Sequence, residues 1–541
     1  MHTVASTRFV PSLAFISRTS LRLRTNVSGA TNIYSHPPPR VRQVQDRTLS
    51  CSLFRGFHLS SMPDKNVLKL PKKLIVACDG TWMNSEVGWT KDGLFDAGHP
   101  QLPSNVTRFV RALSPESADE HGKHPQIAYY QSGIGTSWSL TDKFLGGGLA
   151  LGLSEHVREA YGFLVNNYHG APGDVQQDQI FLIGFSRGAY TARSVAGMIG
   201  CLGLLTKSAM RYFYQIFEDF ENAGDEDYEP KLAKQPDGFP GFKIDVPTSD
   251  LKNYLKAYAA QLRAHGLTRE VQIKAVGVWD TVGSLGLPVQ PWLQKIGFPT
   301  TLHSYRFFDT GVDDHIENAF HVMALDEHRS AFGPTVWAKK SGGKTNLKQV
   351  WIPGVHTNVG GGADDNGMCD ISLAWMMSQL RECGLNFNID YFKEEVAATQ
   401  KFYADHQKEL GGPWKWGLGR LGNSFKFPTS LAGSVVRTPK EYHVVDYKSG
   451  KQTSEKLANT HEKIHICVRA RYVLNGLTYN GRKYESEALR GWTMPTFTPG
   501  QRMVWKKEKG NLELEEDELG YYEKILLEMD KDAVQFLATG K

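Results

Sequence analysis

A serine set between two glycines, where an apolar run stops, is the first place in this sequence where residue types suggest chemistry. Residues 181–193 read "FLIGFSRGAYTAR", which places Ser186 in a Gly-x-Ser-x-Gly motif between Gly184 and Gly188. A serine hydroxyl is a weak nucleophile until a base removes its proton. On a sharp strand-to-helix turn the serine is held in a strained conformation with its oxygen projecting. The glycines allow the turn to pack closely, and the amide of the next residue, here Arg187, can donate to the oxyanion that develops on a substrate carbonyl. The plainer alternative is an ordinary tight turn. Glycine makes up 53 of the 541 residues, so a motif this short needs support from its flanks.

A serine nucleophile of this kind needs a histidine base and an acid to orient it, and in α/β-hydrolases the chain order is serine, acid, histidine. Asp280 closes "VQIKAVGVWD" and His356 follows "WIPGV", so both lie in that order at the ends of apolar runs. Asp309, Asp313 and Asp326 compete for the acid, with Asp326 expected inside a helix. Asp280 also reads as a turn or capping residue, and His356 as a packed loop histidine. A second oxyanion donor is expected after an earlier strand, where "LIVACDGT" offers Gly80 and Thr81. Asp79, at the same exit, is costly to bury without a partner, and Arg187 is the candidate partner. His321 and His328 are expected on one helix face, in structural roles.

The elements that must position these residues read as alternating strands and helices. "KKLIVACDGTW" (72–82), "QIAYYQSGIG" (126–135), "DQIFLIGFS" (178–186), "VQIKAVGVWD" (271–280) and "NLKQVWIPG" (346–354) are strands. "SEHVREAYGFLVNNY" (154–168, with Ser154 as cap), the small-residue stretch after Ser186, "ENAFHVMALDEHRSAF" (317–332) and "DISLAWMMSQLREC" (370–383, with Asp370 as cap) are helices. The expected fold is α/β, a mostly parallel sheet with helices on both faces, in which ligands gather at the carboxyl ends of the strands. Residues 206–270 interrupt the alternation with charged and aromatic stretches and read as a cap insertion, either a lid or a small helical core. Three segments follow: a presequence (1–62), a catalytic domain (72–384) and an irregular C-terminal extension (385–541) packed on or beside the core.

Composition narrows the function classes. The net charge is +5, but eight arginines against one acid put residues 1–62 at +7 and the remainder at −2. A nearly neutral body gives no footprint for nucleic acid. Six cysteines far apart, with no Cys-x-x-Cys, suggest neither a zinc site nor a disulfide framework. No apolar run is long enough to span a bilayer, so any membrane contact is expected to be peripheral. The Arg-, Ser- and Thr-rich first 62 residues have the character of a mitochondrial presequence, and initiation at Met62 would instead leave a cytoplasmic protein.

Taken together, "ACDGTW", "YYQSGIGT", "GFSRGAYTARSVAGMI", "VWDTVGSLG", "ALDEHR" and "VWIPGVHTNVGGG" resemble the catalytic domain of type VI secretion lipase effectors, a domain also widespread in fungi. The resemblance covers roughly residues 72–384. It implies an α/β-hydrolase fold, phospholipase activity in the bacterial effectors, and a triad falling on Ser186, Asp280 and His356. The expected function is a serine hydrolase that cleaves a carboxylic ester through an acyl-enzyme, with a lipid or phospholipid acyl ester as the candidate substrate and no cofactor or metal. Two alternatives stand beside it. One is a metal-dependent phosphohydrolase using Asp79, Asp280, His356, Asp364 and Asp365. The other is a non-catalytic binding protein on a hydrolase fold.

Overall fold

The computed structural model describes residues 71–80, 102–120, 122–133, 148–170, 177–234, 242–282, 311–424, 433–446 and 452–540. The presequence and Met62 lie outside the described residues, as do Thr81 and Asp309.

Ten strands form one sheet: β1 (Lys73–Cys78), β2 (Glu116–Asp119), β3 (Gly122–Gln131), β4 (Gln179–Phe185), β5 (Ile273–Trp279), β6 (Asn318–Ala324), β7 (Asn346–Ile352), β8 (Glu462–Ile464), β9 (Val504–Lys507) and β10 (Leu512–Glu516). Their spatial order is β9-β10-β8-β7-β6-β5-β4-β1-β3-β2. All neighbours are parallel except β9 with β10 and β2 with β3, so among the described residues one antiparallel strand lies at each edge. The helices include α1 (Asn105–Ala112), α2 (Gly148–Asn167), α3 (Arg187–Leu202), α4 (Phe213–Glu221), α5 (Leu251–Ala264), α6 (His356–Gly360), α7 (Cys369–Glu382), α8 (Ile389–Asp405), α9 (Ile466–Val473), α10 (Tyr521–Glu528) and α11 (Lys531–Thr539). Among the described residues no helix is long and apolar enough to cross a membrane.

Because side chains alternate along a strand, each central strand feeds two apolar layers. Leu74, Val76 and Leu182 pack with α2, α3, α4 and α5 on one face. Ile75, Ala77, Phe181 and Ile183 pack with α1, α7, α10 and α11 on the other. This is the two-faced parallel sheet that the alternation of elements implies. The order also reverses around β1, since β3 lies on one side of it and β4 on the other. In open α/β sheets ligands bind at such a reversal, here beside the exits of β1 and β4.

The structure corrects several local expectations. Residues 318–324 form strand β6, not part of a helix, and lie between β5 and β7. A parallel strand buried on both faces is apolar throughout and shows no alternation to separate it from a buried helix. His321 is therefore a strand residue, and Asp326 lies in the turn beyond the strand rather than within a helix. Helix α2 begins at Gly148, ahead of Ser154, whose hydroxyl donates to Glu221 instead of capping. Asp370 sits in the first turn of α7, with Met368 at the cap position, and pairs with the buried guanidinium of Arg108.

The described part of residues 206–270 is a packed helical layer. Phe217, Phe220, Tyr254 and Tyr258 are buried in the same apolar cluster as α2 and α3. Asp219, in its acidic run, is buried and accepts from the hydroxyls of Tyr228 and Tyr258 and the amides of Lys231 and Leu232. Strands β8 to β10 and helices α9 to α11 come from residues beyond 385, so that region continues the central sheet and the apolar layer that holds Ile75 and Ile183.

Candidate active site

Five neighbouring parallel strands end at one edge, and the polar residues singled out in the sequence follow directly from three of them and within a few residues of a fourth. Phe185 pairs with Trp279 across β4 and β5, so Ser186 and Asp280 are the next residues out on adjacent strands. The Ser186 amide donates to the Trp279 carbonyl at 3.0 Å, and the Asp280 amide donates to Val322 on β6 at 2.7 Å. Asp79 and Gly80 follow β1, and His356 opens α6 a few residues after β7.

The turn at Ser186 is a strained strand-to-helix elbow. Ser186 has φ 58° and ψ −122°, a region L-residues avoid and that costs about 1–3 kcal/mol. The glycines explain how the turn closes. A β-carbon on Gly184 would lie 2.4 Å from the Gly188 carbonyl oxygen, and one on Gly188 would lie 2.2 Å from that of Cys78. Both contacts are with backbone, so only glycine lets α3 start this close to the ends of β1 and β4. Ser186 itself is 6% exposed.

His356 is held on three sides. Its Nδ1 lies 2.6 Å from Asp280 Oδ2, its backbone amide donates to Glu327 Oε2 at 3.2 Å, and its ring packs against those of Phe185 and Phe332 at 4.6 and 4.8 Å. An ionised carboxylate only accepts, so the Nδ1 proton points at Asp280 and Nε2 is left as the free base. Nε2 is buried with no hydrogen-bond partner among the described residues. The histidine and Ser186 thus share one sheet edge without being hydrogen-bonded to each other, and Nε2 is the atom available to take a proton.

Of the candidate acids among the described residues, Asp280 is the one whose carboxylate meets the histidine. Asp326 instead accepts from the Gly354 amide and the Tyr484 hydroxyl at 2.7 and 2.9 Å, and Asp313 pairs with Lys340. Asp280 also receives the guanidinium of Arg437, Nη1 on Oδ1 at 2.5 Å and Nη2 on Oδ2 at 3.0 Å. Burial alone would raise the Asp280 carboxyl, but Arg437 and His356 overturn this and hold it well below the usual carboxylate range. Glu327 is likewise pushed up by burial yet held down to about 2, mainly by Arg329. Arg437 has no motif that marks it in the sequence, and Glu327 and Arg329 fall within "ALDEHR" with no role assigned to them by spacing. The signal available was indirect, since a buried carboxylate demands a cation.

The oxyanion side departs from expectation at Gly80. Its amide donates to Asp79 Oδ1 at 2.7 Å and is therefore occupied in this structure. Asp79 does not pair with Arg187. Its other oxygen accepts from the hydroxyls of Ser104, Tyr130 and Thr107 at 2.6, 2.8 and 3.0 Å. Burial raises its carboxyl despite these donors. The carboxylate takes the nearest donors on α1, β3 and its own turn because a buried acid left unpaired is costlier than a committed amide. The amide of Arg187, at the first position of α3, has no partner within its own helix and faces the elbow's end of the sheet.

The carboxylates considered for a metal do not converge. Asp79 is committed to hydroxyls, Asp280 to Arg437 and His356, and Asp365 to Tyr403, Gly367 and Arg420. Among the described residues no three His, Cys, Asp or Glu side chains come together as ligands.

Residues 72–379 match the family model described as the T6SS phospholipase effector Tle1-like catalytic domain. An uncharacterized protein of Saccharomyces cerevisiae is 29% identical over 257 residues, 44% of this chain and 31% of the yeast protein. The match thus spans about a third of that relative's length. Among solved structures, an uncharacterized protein from Pseudomonas aeruginosa aligns with TM-score 0.32 at 16% identity, over 64% of this chain and 52% of that one. The Tle1 effector bound to the VgrG spike of the type VI secretion system aligns with TM-score 0.31 at 13% identity, over 73% of this chain and 92% of that one.

Proposed function

The chain belongs to the family of Tle1-like phospholipase effector catalytic domains, and from that premise we propose that it is a serine hydrolase cleaving the acyl ester of a lipid, with Ser186 as nucleophile, His356 as general base and Asp280 as the acid that orients it. The family supports a lipase-like hydrolase. The observation that carries the finer reading is the pair Asp280–His356, joined at 2.6 Å with Nε2 unpartnered, with Asp280 on the strand next to that of the strained Ser186 and the His356 ring against Phe185.

On this reading Ser186 Oγ attacks the ester carbonyl as its proton passes to His356 Nε2. The imidazolium is stabilised through Nδ1–H by Asp280. The carbonyl oxygen, now negative, is met by the Arg187 amide at the start of α3. His356 then gives its proton to the leaving alcohol, and a water activated by the same nitrogen hydrolyses the acyl-enzyme. An acyl ester of a phospholipid is the substrate class that the family supports.

The test is labelling with a fluorophosphonate, with and without EDTA, in the wild type and in Ser186→Ala, alongside fatty-acid release from phosphatidylethanolamine vesicles. The reading expects a label on Ser186 that is indifferent to EDTA, and release that disappears in the variant at an unchanged melting temperature. Vesicle hydrolysis that survives Ser186→Ala, or that EDTA abolishes, would overturn it.

A further inference from the structure

The geometry points to Arg437 as a positioning residue for the reaction: supplied from outside the segment that matches the family, its guanidinium fixes the Asp280 carboxylate in the orientation that receives His356 Nδ1–H and tempers the charge that carboxylate presents to the imidazole. The inference rests on the Ser186–His356–Asp280 reading and adds to it a member from the C-terminal region.

Among the described residues, four hydrogen bonds reach the Asp280 carboxylate. Oδ1 accepts from the Ala324 amide at 3.0 Å and Arg437 Nη1 at 2.5 Å. Oδ2 accepts from His356 Nδ1 at 2.6 Å and Arg437 Nη2 at 3.0 Å. A planar fork on both oxygens fixes the plane of a carboxylate, which a single point charge would leave free to rotate. The fork is itself anchored, because Nη1 donates to the Ala324 carbonyl at 2.5 Å and Nη2 to the Phe332 carbonyl at 2.8 Å. Phe332 in turn sets its ring edge-on to His356. One buried side chain, 3% exposed, therefore ties together the end of β6, the acid and the aromatic wall of the histidine. Asp280 needs such a tether, since its φ of 37° puts it in the left-handed region and its carboxylate is fully buried.

The charges that face this pair come from several elements. Glu327 accepts the His356 amide and pairs with Arg329. His321, on β6, accepts the Thr281 amide and is pushed down to about 3 by burial, so it stays neutral. Arg193, bonded to the Thr335 carbonyl, faces His321 from α3. Asp326 is bonded to Gly354 and Tyr484, and Tyr442, raised by burial, faces Arg437. With these fixed, Asp280 and Arg437 cancel and the resting pair acts on His356 as a near-neutral unit. Removing the cation leaves an uncompensated carboxylate beside the imidazole, so the Asp280–His356 pair takes up its first proton at higher pH.

Two full-length variants separate positioning from a role in folding alone. Arg437→Met removes the charge at similar volume, and Arg437→Lys keeps the charge and loses the fork. The readouts are kcat and KM for a soluble ester and the pH dependence of fluorophosphonate labelling at Ser186, both scaled to folded protein. Arg437→Met is expected to move the acid limb of the labelling rate up by about one pH unit. Arg437→Lys is expected to leave that limb in place and lower kcat on the order of tenfold or more at unchanged KM. Should Arg437→Met fail to fold, the Lys variant decides: wild-type kcat in it overturns the inference. Variants that fold, keep the wild-type limb and kcat, and differ only in melting temperature also overturn it. A wild-type protein that takes no label at Ser186 would instead overturn the functional reading on which the inference rests.

Discussion

Replacing Gly188 by alanine tests whether the closeness of helix α3 to strand β1 is what holds Ser186, the proposed nucleophile, in place. The added β-carbon would stand 2.2 Å from the carbonyl oxygen of Cys78 and 2.4 Å from that of Asp79. Both are backbone atoms at the exit of β1, so no rotamer change relieves the contact, and strand and helix must separate by about 1 Å. Overpacking of this kind costs about 1–3 kcal/mol. The larger effect falls on activity. Ser186 lies two residues away at the start of the same helix, and a misplacement of about 1 Å lowers turnover on the order of 100-fold. The control is Gly162→Ala in α2, where the nearest atom to a new β-carbon is Met210 Cε at 3.9 Å. There alanine is expected to stabilise the helix by about 0.5–1 kcal/mol with turnover unchanged. Ester turnover, labelling rate at Ser186 and melting temperature are measured for both. A Gly188→Ala protein that labels at the wild-type rate and melts at the wild-type temperature would refute the argument that this contact sets the elbow.

Two further outcomes follow from the buried carboxylates. Glu327, held at about 2 by Arg329 against the upward push of burial, has a folded value below its unfolded one of about 4.3. Its contribution to stability is therefore fully present above about pH 4 and lost as pH falls towards 2. The melting-temperature advantage of wild type over Glu327→Gln should shrink across that window, and a gap independent of pH would contradict the assignment. Asp79→Asn is expected to keep activity within about tenfold, because the surrounding hydroxyls can turn to serve a neutral amide. Asp280→Asn should lose on the order of 10⁴-fold in kcat/KM, because the amide favours the wrong tautomer of His356. Equal losses in the two variants would dissolve the distinction drawn between these acids.

How much of this was legible in the sequence depends on whether a residue's task shows in its neighbours. The exits that carry Asp79, Ser186, Asp280 and His356 are readable because each is an apolar run cut short by a polar or glycine residue, the mark of a buried parallel strand with a functional end. The same rule fails for Asn318–Ala324. There the strand is followed by "LDEHR", whose charges continue a helical-looking pattern that the flanking strands override. Strands β8, β9 and β10 are three to five residues long, and β9 and β10 are rich in charge, so they carry too few side chains for a period to emerge. Arg437 is invisible for a different reason. Its partner lies far along the chain on another element, and nothing in "SVVRTPK" separates a buried clamp from a surface arginine. The occupied amide of Gly80 was beyond reach as well, because it follows from where α1 and β3 place three hydroxyls.

The buried acids at this edge are of two kinds, and their division follows what each must do. Asp79 is held by an amide and three hydroxyls, with no cation among the described residues, so burial wins and its carboxyl is raised. Asp280 and Glu327 are held by guanidinium groups, and both are lowered. Asp79 stands beside the turn where, on the proposed mechanism, negative charge develops on the substrate oxygen. A full carboxylate charge there would oppose the oxyanion, and a carboxyl drawn towards its neutral form opposes it less. Asp280 and Glu327 contact the histidine, which on the proposed mechanism gains a positive charge and releases it in each cycle. Carboxylates kept ionised across the neutral range give that imidazolium the same surroundings at every turnover, and the arginines that keep them so also prevent them from trapping the proton on His356. The choice of partner, hydroxyl for one acid and guanidinium for the others, thus fixes which side of the site is nearly uncharged and which is charged in balanced pairs. That partition depends on α1 and β3 for Asp79 and on the segment around Arg437 for Asp280, two regions that contain neither Ser186 nor His356.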